Sequence, residues 1–584
     1  MAQEYPTLGR GTRFLNRWHA RRATRARPAT GFTSQPEPRT IGGYARGKQL
    51  VAGNFLFAGH LVQAAPGTSL WELTPPTPAF EAALHGFGWI DDLAALGDRQ
   101  ARARAQYWTL DWIERYGRGN GPGWVPDLAG RRLIRWISHA LLILTGAEKN
   151  ESEAFFRLLG QQSIFLSRRW QATSPGLPRF EALTGLIYAG LALEGMGDYV
   201  GKATRALAKE CDAQIDEDGG IPTRNPEELL EVFTLLNWAS LALVEAGHSP
   251  DPAHTAAIER IAPTLRALRH SDGGLARFHG GGRGIEGRLD QALAASGTRN
   301  TQPKGLAMGY ARLSSGRTSV VMDAAQPPTG KASYNAHAST LAIEITSGRR
   351  PLVVNCGSGE HFGDDWAKAG RATPSHSVLG LTGMSSSRLG TPEPTVEGPR
   401  AQLVEPPSEV EARAAGNDSM NGIVAGHNGY VGSYGLTHVR RVELALDGRM
   451  VAGEDTLAAM SEAEQARFVR ALEREGDRGV PFDIRFHLHP DVDATLDMGG
   501  TAVSMALRSG EIWVFRFEGR VELHLTPSVY LEKTRLKPRA SKQVVLSGRA
   551  MEYATRIRWT LAKAQDTPIG TRDLVRDEPD ELPD

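Results

Sequence analysis

The spacing of apolar residues changes period partway along this chain, and that change limits the folds open to it. Up to about residue 270 the spacing is helical. Leu133, Trp136, Ile137, Ala140, Leu141 and Leu144 form one stripe, and Phe155, Phe156, Leu159 and Ile164 fit another. Pro226-Glu227-Glu228 opens a further helix, with proline and acids in its first turn, running on through Leu229, Leu230, Phe233, Leu236 and Leu241. About seven helices are expected, joined by Gly/Pro-rich loops, in an arrangement where sequential helices pair and bury one face each. A short β entry over residues 40–75 precedes them, and Asp91-Asp92 is placed to cap a helix through Leu93.

Beyond Ser271 the run DGGLARFHGGGRG forms a glycine-rich joint, and from Gly305 the pattern becomes that of strands. About a dozen segments alternate or run apolar between frequent turn signals, which predicts antiparallel sheets. The stretch 461–475 is expected as one helix among them. With 584 residues the chain exceeds one domain. Four segments are expected: a basic arm (1–45), a helical domain (46–300), a β domain (301–565) and an acidic, disordered tail (566–584).

The stretch 333–383 holds the densest polar chemistry. Leu341, Ile343 and Ile345 alternate with Ala342, Glu344 and Thr346, predicting a strand with one buried face. His337 and Ser339 would share that face, beside Tyr334 and Asn335. A second strand, 351–355, ends in Asn355-Cys356-Gly357, and a polar loop returns His376 before a third strand, 377–381. Two histidines and two asparagines at strand ends read as a site more than as a core.

These motifs resemble the C-terminal domain of the heparinase II/III-type polysaccharide lyases. There one strand opens His-x-His-Ala-Asp, the next ends Val-Asp-x-Gly, and Arg-x-Thr-x-x-His-Asn precedes the third. The counterparts here are Asn335-Ala336-His337-Ala338-Ser339, Val354-Asn355-Cys356-Gly357 and Arg371-Ala372-Thr373-Pro374-Ser375-His376-Ser377. The resemblance implies an α+β multidomain chain: an N-terminal incomplete (α/α) toroid, then a C-terminal antiparallel β-sandwich. It implies β-elimination on a uronic acid-containing, acidic polysaccharide. It also implies a zinc site at the positions of His337, Asn355 and His376, where Asn355 offers a neutral carbonyl oxygen in place of the family's carboxylate.

Catalytic candidates are Tyr334, which lies beside the cluster, Asn335, Asn225 of the retained Asn-Pro, and Tyr430 and His438 from HNGYVGSYGLTHVRR, which resembles the family's His-x-Gly-Tyr and following His-x-Arg. Arg224 and Arg371 are candidates for binding a substrate carboxylate or sulfate, since a guanidinium makes a bidentate pair. Thr223–Leu229 has Glu228 and Leu229 where the family has its tyrosine and histidine, and Asn335 replaces a family histidine. The alternative reading is therefore a catalytically degenerate glycan-binding or structural protein. His279 in the joint is a weaker candidate, and His487 and His489, on one strand face, are expected to be structural.

The net charge of +1 gives no global field for nucleic acid. Cys211 and Cys356 fit no zinc pattern or disulfide framework. No apolar run approaches a transmembrane length. Residues 10–27 carry seven arginines and no acid. They read as a solvated or partly helical arm, or as one that meets a membrane surface or an acidic partner. The secreted members of the family carry signal peptides; none is visible here, so a cytoplasmic location is expected rather than the family's periplasm or envelope. A second copy of the chain, in a homodimer, is a further candidate partner.

Overall fold

The computed structural model describes residues 9–26, 29–299, 301, 303, 305–395, 398–476, 478–568 and 573. Most of the acidic tail expected over 566–584 lies outside the described residues. The first half is helical from Arg10–Ala23 to Pro252–Ala267, interrupted by a hairpin in which Asn54–Phe57 pairs with His60–Gln63. Helix Pro126–Ser138 packs on Leu177–Ala192 closely enough that a Cβ at Gly185 would meet Gly130 Cα at 2.5 Å. Only glycine allows that approach. The expected stripe over 133–144 breaks at His139, so Leu141, in the next short helix, is 74% exposed. At the heart of this half Trp112 meets Trp136 edge-on at 5.5 Å, and Phe87 meets Trp136 at 5.3 Å.

The second half is built from antiparallel strands in two large sheets. One runs in the order Val521–Tyr530, Arg539–Ala550, Val480–Leu488, Arg350–Val354, Ile343–Ser347, Thr318–Asp323, Tyr310–Ser315, with Leu379–Leu381 joined to Val480–Leu488. The other runs Val410–Ala414, Met420–Tyr430, Leu436–Ala445, Met450–Ala458, Ala554–Gln565, Ile512–Glu518, Ala502–Ala506, Asp493–Asp497. Phe486 of the first sheet lies 5.0 Å from Phe515 and 4.8 Å from Trp559 of the second, so the sheets bury these faces against each other. Met450–Ala458 alternates half-buried and buried along its length, as a strand with one inward face must. The helix expected at 461–475 is present as Glu462–Arg474.

The strand expected through His337 and Ser339 begins later. It spans Ile343–Ser347, and the residues before it fold into turns. Leu341 sits at φ 66°, its N–H donating to the Asp323 carbonyl, while Ala342 N–H donates to Ser339. The turn bond takes the Ala342 N–H, and the left-handed backbone at Leu341 delays the regular ladder to Ile343. The strand is also buried on both faces rather than one, because the glycine-rich joint covers the side that carries Glu344.

The two halves are fastened by charged groups. Arg224, at φ 50° just before helix Pro226–Glu245, pairs with Asp323 at 2.6 Å and donates to the carbonyls of Met308, Gly309, Ala325 and Gln326. Arg277 of the joint reaches the carbonyls of Asn355, Cys356 and Leu531. Glu227 pairs with Lys533 at 2.6 Å. Among the described residues no helix is long and apolar enough to cross a membrane.

Candidate functional site

The joint and the turns before Ile343–Ser347 bring His279, His337 and His376 together. Hydrogen-bond geometry fixes their tautomers. His337 N–H donates to His279 Nδ1 at 3.1 Å, so the His279 proton sits on Nε2, 3.4 Å from Asp323 Oδ2. His376 Nδ1 donates to the Ala372 carbonyl at 2.9 Å, so its Nε2 accepts, at 3.0 Å, from His337 Nδ1. That leaves His337 Nε2 with a lone pair. Ser339 donates to Asp323 at 2.7 Å.

Burial dominates the titration of these rings. It holds His337 well below the ordinary imidazole range, aided by His376, and pushes His376 down to about 4. His279 is lowered by burial against the opposing pull of Asp323. Burial alone would raise Asp323, but Arg224, then His279 and Ser339, outweigh it and hold the carboxylate ionised. The cluster is therefore neutral imidazoles beside one buried ion pair.

Asn355 lies next to this cluster and is fully engaged: its Oδ1 accepts from Ser377 N–H at 2.9 Å, and its Nδ2 points to Glu344 at 3.4 Å. Glu344 is itself held by His270 at 3.2 Å and by Arg277 N–H at 3.0 Å.

A second relay of the same build lies deeper between the sheets. Gly429 N–H donates to His427 Nδ1 at 3.0 Å, and His427 Nε2 lies 3.3 Å from His438 Nδ1. His438 Nε2 lies 2.8 Å from Asp455, and Arg440 grips the same carboxylate at 2.8 and 3.0 Å. Arg440 also reaches the carbonyls of Leu341 and Ser377, which ties this relay to the first. Tyr430 is buried beside His427, donates to the Leu379 carbonyl at 3.3 Å, and has its phenol pushed up by burial.

The structure thus separates the sequence candidates into groups. His337 and His376 meet, with Asn355 nearby. Tyr430 and His438 belong to the deeper relay. Asn225 caps helix Pro226–Glu245, its Oδ1 accepting from Glu227 and Glu228 N–H. Arg371 donates to the carbonyls of Ser333, Ala336 and Ala401, and burial, aided by Arg400, lowers it to about 10. Tyr334 and Asn335 are half-buried at the rim, where Tyr334 donates to Glu393 at 2.9 Å and Arg400 holds both Asn335 and Glu360.

Asp323, Glu344, Asp455, Arg277 and Arg440 were absent from the sequence candidates. The signal for three of them was present: an acid inside an apolar strand, as in VVMDA or AIEIT, must find a buried partner.

Residues 297–560 match the family model of the heparinase II/III-like C-terminal domain. FtsZ-localized protein C of Caulobacter vibrioides (strain NA1000 / CB15N) is 30% identical over 551 residues, covering 92% of this chain and 91% of that protein. A crystal structure of heparinase III superposes with a TM-score of 0.67 at 13% identity, covering 96% of this chain and 93% of that one. Heparan sulfate lyase HepC from Pedobacter heparinus gives 0.55 at 14% identity, covering 95% and 89%. The solved structures establish a shared fold, a helical half followed by antiparallel sheets. With the full-length relative and the C-terminal model taken together, the chain belongs to the heparinase II/III-like family, as a divergent member.

Proposed function

We propose that this protein is a heparinase-like scaffold that works by binding rather than by bond cleavage, and that it does so where FtsZ assembles. The observation that carries this reading is that the groups a lyase would need are already spent on the protein itself. β-Elimination on a uronate needs a donor to neutralise the carboxylate, a base for the C5 proton and an acid for the leaving oxygen. Here His376 is buried, hydrogen-bonded at both nitrogens and pushed down to about 4. Arg224 and Arg371 are saturated by carbonyls and, for Arg224, by Asp323. Asn225 is spent on a helix cap. The FtsZ part rests on the near full-length relative, which is FtsZ-localized.

The finer architecture belongs to the same proposal: an incomplete (α/α) toroid over 46–300 and a β-sandwich over 301–565, in a cytoplasmic protein. The histidine pair acts in it as a support for the turns rather than as a zinc site. Two neutral imidazoles bonded to each other and an engaged amide offer no anionic third ligand, which zinc sites of this type use.

A second reading, residual lyase action on an acidic polysaccharide, is favoured by the rim. Tyr334 and Asn335 are half-buried there beside the cationic Arg400. One experiment separates the two. The full chain is sedimented with FtsZ polymers and, in parallel, incubated with a panel of uronate polysaccharides while the ultraviolet absorbance of unsaturated products is followed. Co-sedimentation without product is expected. Product formation from any polymer, abolished by Tyr334→Phe, would overturn the scaffold reading. Elemental analysis of the purified protein is expected to find zinc well below one per chain.

A further inference from the structure

Past strand Ala554–Gln565 the chain crosses the ends of both sheets. Asp566 pairs with Arg449 and lies 3.7 Å from Lys563. Pro568 packs on the turn before Ile512–Glu518, where a Cβ at Gly510 would lie 2.7 Å from its ring. Asp573 then meets Arg350, the first residue of strand Arg350–Val354. The pair is forked: Arg350 Nε lies 3.1 Å from each Asp573 oxygen, and a terminal nitrogen of the same guanidinium also donates to Oδ1. Side-chain exposure is 7% for Arg350 and 9% for Asp573. Across the hairpin from Arg350, Ser347 donates to Glu511 at 2.6 Å. Glu511 is buried and also held from within the sheets by Lys563 at 3.2 Å and Trp513 at 3.4 Å. Arg350 is different, since its carboxylate comes from outside the sheets. Two exposed arginines flank it: Arg349 on the same turn, and Arg317 on the neighbouring turn, whose carbonyl accepts from Gly348 N–H at 2.7 Å.

We infer that Arg350 is the receptor of a site for acidic peptides, and that this chain's own C-terminal segment closes the site in cis through Asp573. A guanidinium this deeply recessed is matched by the planar fork of a carboxylate and is costly to leave without one. The carboxylate is supplied by residues 566–584, which carry seven acids against two arginines, with three prolines. A segment of that composition builds no core of its own and is ordered by a surface of opposite charge, which Arg317, Arg349 and Arg350 provide. From Pro568 the chain reaches Asp573 within about 18 Å. So short a tether holds the aspartate at the site at an effective concentration on the order of millimolar. An acidic peptide of another molecule must compete with that concentration, so the site opens only when the cis aspartate leaves. This inference uses none of the residues of the histidine relays and is independent of the FtsZ reading above.

The test is fluorescence anisotropy of a labelled synthetic peptide of residues 569–584, titrated with the full chain. The Asp573→Ala chain, whose site is open, is expected to bind the peptide at least about tenfold more tightly than the parent, whose site is closed. That binding should weaken as salt is raised. Adding Arg350→Met should abolish it, and adding Arg350→Lys, which keeps the charge and loses the fork, should leave an intermediate affinity. A peptide carrying Asp573→Asn is expected to bind the open chain at least about tenfold more weakly than the unaltered one. Where Arg350→Met fails to fold, the lysine variant and the asparagine peptide decide. Equal affinity of the parent and the Asp573→Ala chain would overturn the proposal. That result, joined to a lower melting temperature for Asp573→Ala, would make the pair a structural fastening only. Equal binding of both peptides, or undiminished binding by the Arg350→Lys chain, would also overturn it, since general charge attraction would then suffice.

Discussion

The helical half and the β half solve the problem of burying a large interior in different ways. In the helical half, Trp71, Phe87, Trp89, Trp108, Trp112, Trp124 and Trp136 form a continuous aromatic centre, crossed by one buried cation, Arg132, stacked over Trp112 at 4.2 Å. In the β half, two histidine relays each end on a carboxylate gripped by an arginine, and both lie out of water. The apolar centre depends mainly on area and shape, with His85, between Trp71 and Trp112, as its titrating member. The relays depend on protonation states that only a narrow chemistry maintains. A fold that keeps such relays while their groups are saturated by its own backbone has turned polar residues into fasteners for turns.

The largest expected effect separates the halves by acid. A histidine whose folded pKa is depressed excludes a proton that the unfolded chain accepts. Its contribution is complete above about 6.5 and is lost as pH falls toward the folded value. Burial places His376 and His487 at about 4, and holds His489, His337 and His427 well below the ordinary value. In the helical half His85, at about 3, and His254 behave alike. Each such group costs up to about 1.4 kcal/mol per pH unit below 6.5, so the β half should lose several kcal/mol by pH 5. Far-UV circular dichroism is expected to show the β signal lost at a higher pH than the helical one. Coincident loss of both signals, or no loss of stability between pH 7 and 5, would erase the contrast.

Next in size is a single buried charge. Asp323→Ala leaves Arg224 buried without its counter-ion and unfastens the two halves, at a cost of about 3–5 kcal/mol in denaturant unfolding. The double variant Arg224→Met, Asp323→Leu should recover much of that. In the helical half Trp136→Ala should also cost about 3–5 kcal/mol, through the cavity it leaves. The two differ in their response to acid: the Trp136→Ala deficit should stay constant as pH falls, whereas the Asp323→Ala deficit should shrink below about pH 4, where the unfolded chain's carboxylate takes up a proton that the folded ion pair excludes. If both deficits vary alike with pH, the comparison fails.

The sequence made the change of architecture legible because period is a local property: a stripe such as Phe155–Ile164 can be read without knowing what it packs against. The alternation in Met450–Ala458 is legible for the same reason. The relays were only half legible. Histidines stand out in a sequence, so His337, His376 and His438 were found, and the order of motifs around them carried the family. Their partners were not, because Asp455 meets His438 only through strand pairing, Asp323 meets His279 only across the joint, and Arg440, two residues after His438, has no sign of burial until Asp455 is beside it. The turn at Leu341 was missed for a related reason. Its alternation with Ile343 and Ile345 is that of a strand, and what diverts the backbone is Asp323, again remote in sequence.

The smallest effect bears on where the two halves meet. Asn225 caps helix Pro226–Glu245, and its Oδ1 is so close to the joint that a Cβ at Gly281 would lie 2.6 Å from it. If capping is its role, Asn225→Ala should cost about 1 kcal/mol and Asn225→Asp almost nothing, because aspartate caps as well as asparagine. The two variants should then differ in melting temperature and agree in every binding measurement. If Asn225 instead meets a ligand carboxylate, the order reverses. The aspartate would keep the stability and lose the binding through like-charge repulsion, while the alanine would lose less of it. A melting curve and a binding isotherm on the two variants therefore tell whether the seam between the aromatic half and the relay half is only a fastening or still a site.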